Sequence, residues 1–300
     1  MDRIKFKTDE DKSYIIEKTL FEKKTQKQAP FYQKSERQNH ETCQFAICPE
    51  CNNPVQIIGL YKKLEHTDKP YARHYEIPIG LGKYNKENYE YCPYKANRKP
   101  FTKDSRKGEI DEIAQDIIRK MIYYFDKIVY LLQKKIGIYI STALAKDMLN
   151  DFFDARAYLY RGASLKNVPL LLPYFSSNKT IIGRFVLDET LISALKQIPE
   201  LDIKNNKIKS NKYIKLGFYF FDHKTKIEDH HLTESLIFSI SKGEINEAKT
   251  IYQKKIVFDN LHFEKLINYK EYKLSEKQIL KNKELLNIAK EVSKEHGFFY

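Results

Sequence analysis

The clearest periodic stretch runs from Glu109 to Ile136, where Ile110, Ile113, Ile117, Met121, Phe125, Ile128 and Leu132 recur at spacings of three and four. That spacing lays one apolar stripe along a helix, with Glu112, Asp116, Arg119 and Lys120 largely off it. It predicts one long helix, ended by Gly137. Ser141 then offers an N-cap for a second helix, Thr142 to Tyr160, which Gly162 closes. Two long helices joined by a short turn predict an antiparallel pair.

Beyond it the pattern is mixed. Val168-Pro169-Leu170-Leu171-Leu172-Pro173 is apolar, and its two prolines predict an extended stretch. Thr180 to Leu187 is β-rich, Asp188 caps a short helix that stops before Pro199, and the Asn- and Lys-rich run Leu201 to Lys212 predicts a polar loop. Tyr213 to Phe221, Ser235 to Ser241 and Ile251 to Phe258 predict three strands from their β-branched and aromatic residues. Ser275 and Gln278 have capping-box spacing at the head of a C-terminal helix, and Gly297 follows its last turn.

Ahead of Gly108 the periodicity disappears. Residues 1 to 42 form a charged N-terminal segment with one short apolar cluster, Tyr14-Ile15-Ile16. A leading strand or helix is expected there, then a mobile polar stretch from Lys23 to Asn39. Residues 43 to 107 hold six of the chain's ten prolines, Pro49, Pro54, Pro70, Pro78, Pro93 and Pro100. With Gly59, Gly80 and Gly82 they predict short strands and turns and exclude a long helix. The expected fold is α+β: a small zinc-knuckle module with a basic linker over 43–107, then the helical pair and a mixed α+β body with a C-terminal helix over 108–300.

The chemistry centres on the cysteines. Cys48-Pro49-Glu50-Cys51 is a turn that folds one thiolate back beside another, and the polar Asn52-Asn53-Pro54 after it favours a metal knuckle over a redox site at a helix start. Cys92, in a second cysteine-proline turn, and His74, ahead of the strand-like Glu76-Ile77-Pro78-Ile79, would complete a Cys3His set. Cys43 is the alternative fourth ligand. Soft thiolates with an imidazole suit Zn2+, and four protein ligands leave no open position, so the zinc is expected to be structural.

Composition adds the partner. The chain has 300 residues, 42% of them hydrophobic, which is enough for a large core. It carries 53 Lys and Arg against 40 Asp and Glu, a formal charge of +13, and an excess of that sign favours an anionic partner such as nucleic acid. DNA and RNA are not separated. The stretch after Cys92 is the expected contact surface, with Lys95, Arg98, Lys99, Lys103, Arg106 and Lys107 beside Tyr84, Tyr89, Tyr91 and Tyr94. A homo-oligomer or a place in a protein complex is the further partner expectation. The charged N-terminal residues lack a signal-peptide pattern, and no run of about 18 apolar residues predicts a membrane span, so the chain is expected in the cytoplasm.

One other cluster invites chemistry. Asp222, His223, Asp229, His230 and His231 flank an expected loop between two strands, where acids, bases or metal ligands could converge. The catalytic candidates are Asp222, His223, His230 and His231. They would suit a metal-dependent nuclease with Asp222-His223-Lys224 as an Asp-x-Lys element and Asp188 or Glu189 as the upstream carboxylate. Against that, adjacent strand residues point to opposite faces, and no phosphate-cradling glycine loop, serine elbow or HExxH accompanies them.

Overall fold

The structure is a computed structural model that describes all residues except 35–40, 78, 245–246 and 269–273, and the side chain of Asn260. The chain is mixed α+β, with antiparallel sheets, a C-terminal helix and a cysteine-histidine cluster. Its contacts divide it into two compact units.

The first unit takes in Met1–Ile113 with Tyr160–Lys166 and Thr225–Thr233. A two-stranded ribbon, β1 (Arg3–Ile4) with β2 (Tyr14–Ile15), precedes helix α1 (Lys18–Thr25). Strands β3 (Tyr32–Lys34), β4 (Thr42–Ile47), β5 (Pro54–Ile58) and β6 (Tyr71–His74) then form one antiparallel sheet in chain order, followed by the short helix α2 (Lys86–Glu90). Alternation along β4 explains its two-sided burial. Cys43, Phe45 and Ile47 pack with Tyr75, Ile79 and Leu81, while Ala46 packs with Ile4, Phe21 and Val55. Lys5 bridges Ile47, so the N-terminal residues lie in the same unit as the cysteines. The stretch expected to be mobile holds the end of α1 and the whole of β3; its residues 35–39 lie outside the described residues. The strand expected over residues 76–79 is found earlier, at β6, and Pro78 lies outside the described residues.

The second unit comprises Ala114–Leu159, Asn167–Lys224 and Glu234–Tyr300. The long helix is interrupted at Tyr124 (φ −120°, ψ 21°), giving α3 (Glu112–Tyr123) and α4 (Phe125–Ile136), and Gly137 closes it at φ 67°. Ser141 caps α5 (Thr142–Asp154), which stops at Ala155 rather than Tyr160; a single 3-10 turn, Ala157–Leu159, follows. The proline-bearing run is a helix, α6 (Val168–Phe175), and not an extended stretch. Pro169 sits in its first turn, where no N–H bond is required, and every one of its residues is buried. Helices α4 and α5 both pack against α6 and against α9 (Glu276–Glu295), whose capping box is formed by Ser275 and Gln278.

Between these helices come β7 (Lys179–Thr180), α7 (Glu189–Leu195), β8 (Leu201–Lys204), β9 (Lys207–Ser210), β10 (Leu216–Glu228), β11 (His231–Lys242), β12 (Lys249–Phe258) and α8 (Asn260–Asn268). The larger sheet has the order β12-β11-β10-β7. Leu201 to Lys212 is not a loop: β8 and β9 form a hairpin across Asn205-Asn206, both with positive φ (49° and 61°), the geometry that Asn supplies in tight hairpins. The loop expected between the next two strands is likewise only Asp229-His230, with φ 48° and 66°.

Candidate metal centre

Two turns and the end of a strand in the first unit deliver four ligand atoms to one place. The hairpin linking β4 to β5 carries Cys48 and Cys51. Its loop is closed by Cys48 N donating to Asn53 O at 2.9 Å and Asn52 N donating to Cys48 O at 3.1 Å. Asn52 takes φ 56°, a left-handed conformation that Asn tolerates and most side chains resist. Gly82 lies against the same turn, where a Cβ would meet Asn52 O at 2.8 Å. His74 ends β6, and Val55, beside the start of β5, pairs with it in register. Asn85 caps α2, and a turn after that helix, with Cys92 N donating to Tyr89 O at 3.1 Å, presents Cys92.

The four ligand atoms lie within 4.8 Å of one another. Cys48 Sγ and Cys92 Sγ are 3.8 Å apart, and Cys51 Sγ is 3.3 Å from His74 Nε2. A tetrahedral zinc with Zn–S near 2.3 Å requires sulfur pairs about 3.8 Å apart, so the spacing fits that ion. Cys48, Cys51 and Cys92 are buried and no disulfide joins the cysteines. Burial pushes the Cys51 thiol up, yet hydrogen bonds involving Cys48, Cys92 and Asn53 outweigh it and hold the group well below the ordinary thiol range. Burial, followed by the neighbouring thiols of Cys48 and Cys51, pushes Cys92 well above that range. Thiols crowded in this way accept one negative charge readily; further ones need a cation beside them.

Two supporting residues were not legible from the ligands alone. Asn53 Nδ2 donates to Cys51 Sγ at 3.3 Å, and Asn53 Oδ1 accepts from Asn85 N at 2.7 Å, tying the knuckle to the helix that leads to Cys92. Glu50, inside the knuckle, is buried and accepts from Ser164 Oγ at 2.6 Å. Cys43, the alternative ligand, is not in the cluster. It faces the other side of β4, among Phe45, Ile47 and Tyr75, because it lies five positions, an odd offset, before Cys48.

The basic stretch is more tightly held than a linker. Lys107 is buried, with Nζ 2.5 Å from Asn88 Oδ1 and 3.0 Å from Asp111, which withdraws it from any phosphate. Arg98 donates to Tyr91 O at 2.6 Å and to Thr225 Oγ1 at 3.3 Å and lies over Phe101; Arg106 donates to the carbonyls of Lys103 and Ser105. Lys99 pairs with Glu90 at 2.8 Å, half exposed, Lys95 lies over Tyr89, and Lys103 is exposed.

The four catalytic candidates are not brought together. His223 is buried on Glu234, Nε2 to Oε1 3.0 Å, and Asn167 donates to the same oxygen at 3.0 Å. Asp222 pairs with Lys224 at 2.8 Å. His230, in the hairpin turn, stacks on Tyr71, and His231 pairs with Asp2 at 3.2 Å. His223 precedes the Asp229-His230 turn by six residues of the β10 arm, and in a strand each residue adds about 3.3 Å of separation. Asp188 spends its carboxylate on capping α7 and on Lys254. No known protein family, curated protein or solved structure matches the chain.

Proposed function

We propose that the protein is a zinc-stabilised nucleic-acid-binding protein: Cys48, Cys51, His74 and Cys92 hold one Zn2+ in a closed structural site, and the basic surface contacts phosphates. The observation that carries the metal half is the convergence of three buried thiols and one imidazole at tetrahedral spacing. With all four positions filled by protein there is no place for a reacting water, so the ion acts on folding and not on chemistry.

The nucleic-acid half is supported by the +13 charge and by the accessible part of the basic stretch, Lys95, Lys99 and Lys103. The Lys99–Glu90 pair is a solvent-screened surface pair, so a phosphate can displace the carboxylate. No helix is long and apolar enough to cross a membrane.

The test is a metal analysis of the purified protein together with a salt titration of its binding to labelled DNA and RNA. One zinc per chain is expected, with affinity falling steeply with salt, and the slope of that fall is expected to shrink in the Lys95→Ala, Lys99→Ala, Lys103→Ala triple variant. A metal-free, folded protein, or one that binds no nucleic acid at low salt, would refute the corresponding half.

A further inference from the structure

A second surface, in the second unit, combines an exposed ring and a half-buried one with lysines. The segment Arg184–Leu187 runs between two extended neighbours. On one side Tyr139 N donates to Phe185 O at 2.8 Å and Leu187 N to Gly137 O at 2.6 Å. On the other, Val186 N donates to Asn206 O at 2.8 Å and Ile208 N to Arg184 O at 2.9 Å, which attaches the β8–β9 hairpin. The result is a small three-stranded surface, with antiparallel bridges Ile138↔Val186 and Phe185↔Lys207.

Alternation gives this surface two unlike faces. Ile138, Ile140, Val186 and Ile208 point inward and are fully buried at 0% exposure. The opposite face carries Tyr139, Phe185, Leu187, Lys207 and Lys209, with Phe185 41% and Leu187 53% exposed. Tyr139 and Phe185 meet edge to face at 6.5 Å. Lys281 of α9 lies 4.0 Å over Tyr139 and anchors to Ile140 O at 2.7 Å, while Lys207 lies 5.5 Å over Phe185. Asp188, at the end of the segment, is engaged as the cap of α7 and with Lys254.

We infer that this aromatic-lysine face binds single-stranded nucleic acid, with Phe185 and Tyr139 stacking on bases and Lys207, Lys209 and Lys281 meeting the adjoining phosphates; the inference rests on the nucleic-acid reading above. Two features select this occupant. Rings standing on an open face accept unstacked bases, whose π-faces a duplex hides. The ammonium groups of Lys207 and Lys281 lie at the rings themselves, where the backbone of a stacked strand brings its phosphates, and the charges are complementary.

The experiment is fluorescence anisotropy with 20-nucleotide fluorescein-labelled oligo(dT) and oligo(U), with duplex DNA of the same length as comparison. Phe185→Ala should weaken both single strands about tenfold and leave the salt slope unchanged, because base stacking is not a counterion effect. Lys207→Gln with Lys281→Gln should reduce the slope by about 1.4, the loss of two single-strand phosphate contacts. Phe299→Ala, an equally removable ring at 78% exposure, should change nothing. If wild-type protein binds these strands and the Phe185 and lysine variants bind them equally well, this assignment is overturned while the nucleic-acid reading stands. If wild-type protein binds none of the three probes, both fall together.

Discussion

Two stretches of this chain are rich in metal-binding and acid-base side chains, and folding treats them differently: one set converges and the other is dispersed. The ligands between Cys48 and Cys92 are sparse in sequence yet their atoms come within 4.8 Å of one another. Those between Asp222 and Glu234 are dense, yet His223 joins Glu234 in a buried pair, His231 pairs with Asp2 and His230 stacks on Tyr71. Placement on the elements makes the difference. The converging ligands sit where strands and a helix end, so turns aim them at a common point. The dispersed ones sit along a hairpin arm and its tip, where the pleat alternates side chains and each residue adds about 3.3 Å of separation. Density of chemistry-bearing residues is therefore a poorer guide than their position at element ends.

The largest expected effect tests the converging side. Cys48→Ser or Cys92→Ser should lose the metal and unfold the first unit, since with zinc in the proposed site about 10 kcal/mol of binding would be coupled to its folding; metal content and thermal melting read this out. Cys43→Ala should keep one metal per chain, and metal loss there would move Cys43 back among the ligands. On the dispersed side, Glu234→Ala should cost roughly 3–5 kcal/mol in urea unfolding, as removal of one partner from a buried pair does, whereas His231→Ala should cost at most about 1. Equal, small costs would undo the contrast and reopen the hairpin as a site.

The smallest effect concerns Asp188. Thr190, then Lys254 and the backbone of α7, hold its carboxyl down to about 2 from an ordinary 3.8. A group depressed on folding stabilises fully above the unfolded value and loses that contribution as pH falls through the folded one. Asp188→Ala should thus cost about 1 kcal/mol at neutral pH, the usual worth of a helix cap, and the gap to wild type should close between pH 4 and 2. A gap independent of pH would show that the carboxylate is not what the cap contributes.

Much of the centre is legible in the sequence because knuckle turns are local: Cys-Pro-x-Cys and Cys-Pro specify their own geometry within a few residues. Asn53 and Glu50 were harder to read, since their partners, Asn85 and Ser164, are distant in sequence. The helical caps at Ser141, Asp188 and Ser275 are local in the same way and are formed as their residues imply. The misread elements share a different cause. In Val168–Phe175 tertiary burial overrides two prolines, one of which costs little in a first turn. In β8–β9 the turn signal Asn205-Asn206 lies inside a run whose lysines suggest a loop. In β10 the outer arm carries exposed Lys224, Lys226 and Glu228, so the strand continues past the apolar run that ends at Phe221.

The central claim is a closed Cys3His zinc centre, and X-ray absorption at the zinc edge of the purified protein tests it most directly. The account predicts three sulfur neighbours at about 2.3 Å and one nitrogen at about 2.0–2.1 Å, with no oxygen. A fourth sulfur would place Cys43 in the set, and an oxygen neighbour or a metal-free protein would contradict the closed centre.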